Sequence, residues 1–210
     1  MDIEIKALTP ELEEAYFDFF DHRAFSDGSP YYPCYCNAFN MSAVEIKELH
    51  TQAKKYGGST DDWKRVLRES AVRMVRAGKI CGYLAFEKGI PIGWCNANDR
   101  MNYYRVGEFD LDNVPEDKVA SGCQRKGEIK SIVCFEISPE YRGKGVATQL
   151  LNRVCTDAKI ERYNFVEVYP KEQEQYNMLA FTGPIHLYKK TGFIEFSRMG
   201  STIIMRKSIK

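Results

Sequence analysis

Residues 132–151, IVCFEISPEYRGKGVATQLL, constrain the fold more than any other stretch of this chain. Ile132, Val133, Phe135 and Ile137 form an apolar, largely β-branched run that reads as a buried strand, and Ser138-Pro139 breaks it. Gly143 and Gly145 follow, and then a helix: Val146, Leu150, Val154 and Ala158 recur every fourth residue, with Leu151 and Cys155 widening the stripe. Asn152, Arg153, Asp157 and Lys159 take the other side. A strand feeding a glycine-rich turn that opens a helix leaves several backbone N–H groups unpaired and pointing one way, a cradle suited to a diphosphate. Glycine at 143 and 145 also removes the Cβ atoms that would hold a ligand off the backbone. An ordinary strand–turn–helix connection has the same spacing, so the cradle is one of two readings of this segment.

Two common nucleotide motifs do not fit. A P-loop needs G-x-x-x-x-G-K-[ST], but Gly143-Lys144 is followed by Gly145-Val146; a dinucleotide fingerprint needs glycine where Thr148 stands. Arg142-Gly143-Lys144-Gly145-Val146-Ala147 instead resembles the R/Q-x-x-G-x-G/A motif of the GCN5-related N-acetyltransferases, in which this turn binds the pyrophosphate of acetyl-CoA. Downstream, Leu187-Tyr188-Lys189-Lys190-Thr191-Gly192-Phe193 resembles the family's L-Y-x-K-x-G-F ending. Upstream, residues 81–86 and 92–95 read as a hairpin closing on Gly93-Trp94, like the family's second and third strands. The resemblance runs over about residues 3–206. Within the family, Cys34-Tyr35-Cys36, Gly93-Trp94-Cys95 and residues 166–170 are similar to a bacterial subfamily with a Cys-x-Cys element near the N-terminus.

The fold implied is α/β: a mixed, mostly antiparallel, splayed sheet with helices on both faces, in a single domain over residues 1–210. A helical block at about residues 10–78 would serve the acceptor, and a core at about residues 80–206 would hold acetyl-CoA. Composition agrees with one substantial core and argues against other classes. Thirty basic residues against 29 acidic ones suggest neither a nucleic-acid nor a membrane-surface binder. The first residues carry no signal-peptide pattern, no apolar run approaches the roughly 20 residues of a membrane span, and a cytoplasmic setting is expected. Seven scattered cysteines are expected as free thiols. Cys34 and Cys36, in a loop rich in Tyr and Pro, make an incomplete zinc set and are expected to line a pocket, with no metal bound.

The first strand is expected at residues 3–7 and a helix from Thr9-Pro10-Glu11, turning Leu12, Ala15, Tyr16 and Phe19 inward. Ser42 is expected to cap a second helix ending near Tyr56, and Asp61-Asp62 to open a third. Residues 98–127, with Asp110, Asp112, Glu116 and Asp117, are either a flap over the pocket or a solvated loop. Strands are expected at residues 128–137, 165–169, 193–196 and 202–205.

The resemblance implies acetyl transfer from acetyl-CoA to an amine, small-molecule or peptide, by direct attack in a ternary complex, in a monomer or homodimer. The backbone of Gly143, Lys144, Gly145, Val146, Ala147 and Thr148 would hold the diphosphate, and the charge of Arg142 or Lys144 would add to it. Backbone groups of Phe135 and Ile137 would pair with the pantetheine arm. Tyr188 matches the family tyrosine that protonates the departing sulfur; the alternative is a packed ring whose hydroxyl caps a carbonyl. Glu136 alternates to the side opposite Phe135 and Ile137, as a base with raised pKa or as a solvent-facing residue. Glu128 and Glu167 are weaker candidates, and Ser131 stands where some relatives carry a glutamate. Phe181 and Pro184 occupy positions that are asparagine and alanine in many relatives, with Asn177 too far upstream to align. A covalent route through Cys134 would need its thiol facing the thioester with a lowered pKa. Two other classes remain: a non-catalytic acyl-CoA sensor, and a thiol- or metal-linked binding protein.

Overall fold

Hydrophobic patterning and cap chemistry set the elements, and a computed structural model describes residues 1–29, 32–106, 126–172 and 181–210. The acidic stretch containing Asp110, Asp112, Glu116 and Asp117, and Asn177, lie outside these residues. In chain order the strands and helices are β1 (Glu4–Ala7), α1 (Glu13–His22), α2 (Ala43–Tyr56), α3 (Thr60–Arg76), β2 (Gly82–Glu87), β3 (Ile90–Asp99), β4 (Ile129–Ile137), α4 (Val146–Ile160), β5 (Phe165–Val168), α5 (Ile185–Lys190), β6 (Ile194–Met199) and β7 (Thr202–Ser208). The seven strands make one sheet in the order β1-β2-β3-β4-β5-β7-β6, parallel at β4–β5 and antiparallel at every other pairing.

Helix starts follow local chemistry. Ser42 and Glu45 form a reciprocal capping box on α2, and Ser59 and Asp62 do the same on α3, each contributing about 1 kcal/mol. The expected helix at Thr9 begins differently. Thr9 makes no cap hydrogen bond, Pro10–Leu12 is a 3-10 turn, and α1 starts at Glu13. The inward stripe is Tyr16, Phe17, Phe19 and Phe20, all buried.

Two cores sandwich the sheet. On one face α1, α2 and α3 pack onto Leu84, Trp94, Val133 and Cys134; on the other α4 and α5 pack onto Tyr83, Cys95, Ile132 and Phe135. Strand alternation would put Ile132 and Cys134 on the same face. A bulge prevents it: Ile132 opposes Ala97 and Cys134 opposes Asn96, leaving Val133 as the extra residue. Cys134 and Glu136 are thereby turned toward the α1–α3 side.

The sheet also splays. β4 and β5 stay in register only as far as Ile132 opposite Val168. Beyond that the β5 chain follows β7, with the Ile203 N–H donating to the Pro170 carbonyl and Lys171 bridging to Thr202. Among the described residues, no strand pairs on that side with the half of β4 from Val133 onward.

Candidate active site

The turn after β4 has the geometry its glycines predict. Gly143 and Gly145 sit at φ +74° and +83°, a left-handed conformation that L side chains rarely adopt, and a Cβ at either would meet no atom within 4 Å. Gly145 is the N-cap of α4 and has no side-chain cap. The first bond of the helical ladder is Gln149 N–H to the Gly145 carbonyl. Among the described residues, the N–H groups of Gly143, Gly145, Val146, Ala147 and Thr148 have no protein partner, and Lys144 N–H makes one long bond, 3.4 Å, to Tyr141. Open space in front of several free donors fits an anionic diphosphate.

This turn is one wall of a cleft of about 240 Å³, whose other walls are Phe135, Glu136 and Ile137 of β4 and the segment Phe181, Gly183, Pro184 and Leu187. The cleft occupies the splay. The N–H of Phe135, which the resemblance assigns to the pantetheine arm, donates to the Phe181 carbonyl at 2.6 Å. Tyr188 is fully buried, its ring against Phe193 and its hydroxyl donating to the Thr182 carbonyl. Burial pushes its pKa well above the ordinary phenol value. Gly183 covers it: a Cβ there would lie 2.5 Å from the Tyr188 hydroxyl.

Glu136 sits at the inner end of the cleft. It retains 9% exposure, and burial raises its carboxyl pKa to about 7, opposed by Arg142 and by the Ile137 N–H, and reinforced by Asp27. Arg142 lines the cleft, but its guanidinium turns inward rather than toward the glycine turn. Its Nε donates to the Ile137 carbonyl (3.1 Å), Nη1 pairs with Asp27, and Nη2 reaches Glu136 at 3.5 Å. That side chain is placed to hold Glu136. Lys144, in the turn itself, lies over the Tyr141 ring at 5.4 Å.

A model of the acetyltransferase (GNAT) family matches residues 43–193, from the start of α2 to Phe193, just past α5. The chain belongs to that family. Acetyltransferases of this kind are acyltransferases with acetyl-CoA as co-substrate and an amine as acceptor. Among solved structures, it is similar to PaiA N-acetyltransferase from Thermoplasma acidophilum in complex with coenzyme A (19% identity over 99% of both chains, TM-score 0.50). It is also similar to an acetyltransferase of the GNAT family from Streptococcus pneumoniae (14% identity, 100% of both chains, TM-score 0.52). YncA from Salmonella typhimurium, crystallised with acetyl-CoA, matches with 14% identity over 99% of this chain and 94% of its own, TM-score 0.51. These likenesses are of fold. No curated protein matches the sequence.

On the far side of Glu136 this acyltransferase has a second cavity, of about 530 Å³. It lies between residues 32–41, α2 and α3, and shares Glu136 and Phe181 with the cleft. Cys34, Cys36 and Cys134 line it, as expected of the first two. Burial and the neighbouring Cys36 raise the pKa of Cys34; a bond to Cys36 and burial raise that of Cys134. These thiols stay protonated, the opposite of what a covalent route requires. Among the described residues, no group of three or more His, Cys, Asp or Glu is arranged to hold a metal, and no helix is long and apolar enough to cross a membrane.

Residues 32–41 are tied down by partners far away in the chain. Asn96 Nδ2 donates to the Cys36 carbonyl (2.8 Å) and Tyr103 donates to Asn96 Oδ1 (2.7 Å). Tyr16 donates to the Tyr35 carbonyl, Tyr35 to Asp21, and Asn37 to the Leu67 carbonyl. Asn96 and Asp27 were not apparent in the sequence, because nothing local marks a partner 60 or 115 positions away. Glu167 is fully buried between Arg206, Tyr169 and, at 3.9 Å, Arg100, and Ser131 bonds Tyr169; neither carboxylate nor hydroxyl lines the cleft or the cavity. His186 lines the cleft, while His50 packs edge-on to Trp63.

Proposed function

We propose that this protein is an N-acetyltransferase that transfers the acetyl group of acetyl-CoA directly to a primary amine, with Glu136 as general base. One observation carries the reading: a carboxyl with pKa about 7 stands where the cleft meets the second cavity. A base poised near the working pH is what an amine needs before it attacks.

The free N–H groups of Gly143 and of residues 145–148, with the charge of Lys144, hold the diphosphate at the mouth of the cleft. The β4 backbone at Phe135 and Ile137 receives the pantetheine arm, the Phe135 N–H leaving the Phe181 carbonyl to do so. Glu136 accepts the proton that the ammonium gives up before attack; the second proton, lost as the nitrogen bonds to the carbonyl carbon and the carbon–sulfur bond breaks, replaces the one that Tyr188 gives the sulfur. Tyr188 lies directly behind Gly183 in the cleft wall and supplies the proton that the sulfur takes, once its hydroxyl leaves Thr182. Arg142 positions Glu136. The Cys-x-Cys element on the wall of the second cavity supports placing the chain in the subfamily that carries it, with α1–α3 and residues 32–41 as the acceptor side of one domain.

The test is calorimetric titration of the purified chain with acetyl-CoA, followed by amine-dependent release of coenzyme A. Uptake at micromolar affinity with amine-dependent release is expected. Uptake without release against any amine would leave a binding module, and no uptake would remove the acetyl-transfer reading altogether.

A further inference from the structure

The second cavity differs from the cleft in character. Phe39, Met41, Ile46, Leu49, Trp63 and Leu67 are among its lining residues, and Phe181 stands beside Phe39 at a ring separation of 6.2 Å. At about 530 Å³ it is the size of a pocket for a compact organic ligand. Some of its polar groups are already committed. Asn37 bonds the Leu67 carbonyl, and Ser59 is held in the α3 capping box. The Cys34 and Cys134 thiols are neutral. Among the described lining residues, Glu136 is the sole ionisable carboxyl and no lysine or arginine is present.

We propose that the acceptor is a primary monoamine on an apolar aryl or alkyl body, which fills the cavity between α2, α3 and residues 32–41 and presents its nitrogen to Glu136. The proposal rests on the acetyl-transfer reading and specifies its substrate. A body with a second ammonium group would place that charge against leucine, isoleucine and methionine, with no second carboxylate among the described lining residues to meet it. A body bearing a carboxylate would find no lysine or arginine among the described lining residues, and would stand close to Glu136. Polyamines, aminoglycosides and free amino acids are therefore poor fits, and 2-phenylethylamine or hexylamine good ones. The buried anchors on Tyr35, Cys36 and Asn37 keep the wall preformed, so selectivity comes from the cavity as it stands.

The full chain with acetyl-CoA should acetylate 2-phenylethylamine with kcat/KM at least ~100-fold above that for spermidine, kanamycin or lysine. Along butylamine, pentylamine and hexylamine, kcat/KM should rise about 3- to 4-fold per methylene. Trp63→Ala should lower kcat/KM for 2-phenylethylamine by ~10-fold or more while leaving acetyl-CoA affinity, read by calorimetry, unchanged. Calorimetry with the amines themselves gives a readout independent of turnover. Preference for spermidine, kanamycin or lysine with normal acetyl-CoA uptake would overturn the substrate class and leave the acetyltransferase standing. Apolar amines that neither bind nor react while acetyl-CoA still binds would likewise overturn it. No acetyl-CoA uptake would overturn the acetyl-transfer reading on which it rests.

Discussion

Replacing Glu136 by glutamine should make the protein more stable and nearly inactive at the same pH. In the folded chain the carboxyl keeps its proton up to about 7, whereas the ordinary value is 4.5. Between those values the unfolded chain binds fewer protons than the folded one, so wild-type stability falls as pH rises. At about 1.4 kcal/mol per pKa unit the loss reaches about 3–4 kcal/mol at pH 8, and well above 7 it no longer grows. Glutamine has no such proton to lose. Glu136→Gln should thus match wild type near pH 4 and exceed it by on the order of 3 kcal/mol at pH 8. Arg142 keeps Asp27 and the Ile137 carbonyl in the variant, so no new unpaired charge offsets the gain. Turnover should drop by roughly 10²- to 10⁴-fold, and the rise in rate through about pH 7 should vanish. Urea unfolding of both proteins at pH 4, 5.5, 7 and 8 measures the first effect, and initial rates of coenzyme A release measure the second. A stability difference flat across pH would refute the perturbed carboxyl. Unchanged turnover with the same pH limb would place the base elsewhere.

Arg142→Gln removes the cation that opposes the effect of burial on Glu136, so the midpoint of the pH–rate profile should move up. A midpoint that stays still would mean that Arg142 does not hold Glu136 in solution. Tyr188→Phe should lower kcat about 100-fold or more with acetyl-CoA affinity unchanged if the phenol protonates sulfur; a variant that only loses about 1 kcal/mol of stability would make it a packing residue. Asn96→Ala breaks the buried link from β3 to Cys36 and should cost about 1–3 kcal/mol. In kinetics it should raise the acceptor KM and spare the Kd for acetyl-CoA. Gly183→Ala forces a Cβ to within 2.5 Å of the Tyr188 hydroxyl at φ +74°, and should disturb the cleft wall enough to weaken acetyl-CoA binding in the same titration.

What could be read without coordinates was what local chemistry decides. The turn at residues 143–148 was legible because two left-handed positions, a preceding strand and a following apolar stripe are all encoded within 20 residues. Ser42 and Tyr56 as the limits of α2 were legible because a capping box and a glycine pair are short-range devices. Strand β3 was read as ending near Cys95, but it runs to Asp99. Asn96, Asn98 and Asp99 interrupt the apolar pattern, and their polarity is satisfied by distant or irregular backbone: Cys36, Lys79 and the turns at Met101 and Gly127. The bulge at Val133 left no composition signal, yet it decides which cavity Cys134 faces. The motif offers Arg142 or Lys144 as the charge at the phosphates. The actual direction of Arg142 is set by Asp27, contributed by a loop 115 positions earlier.

The two cavities also suggest why a carboxyl can serve as base for an amine that arrives as an ammonium ion. In water an alkylammonium near pKa 10 and a carboxylate near 4.5 are mismatched by more than five pKa units, and the proton stays on nitrogen. Removing water acts on both groups in opposite senses: it raises the acid and lowers the ammonium, because each loses stabilisation of its charged form. The apolar wall of Trp63, Leu49 and Phe39 and the burial that lifts Glu136 to about 7 are thus one desolvated environment seen from two sides. A more polar acceptor cavity would solvate the ammonium and restore the mismatch. A fully sealed one would raise Glu136 beyond use, and Arg142 at 3.5 Å opposes that drift.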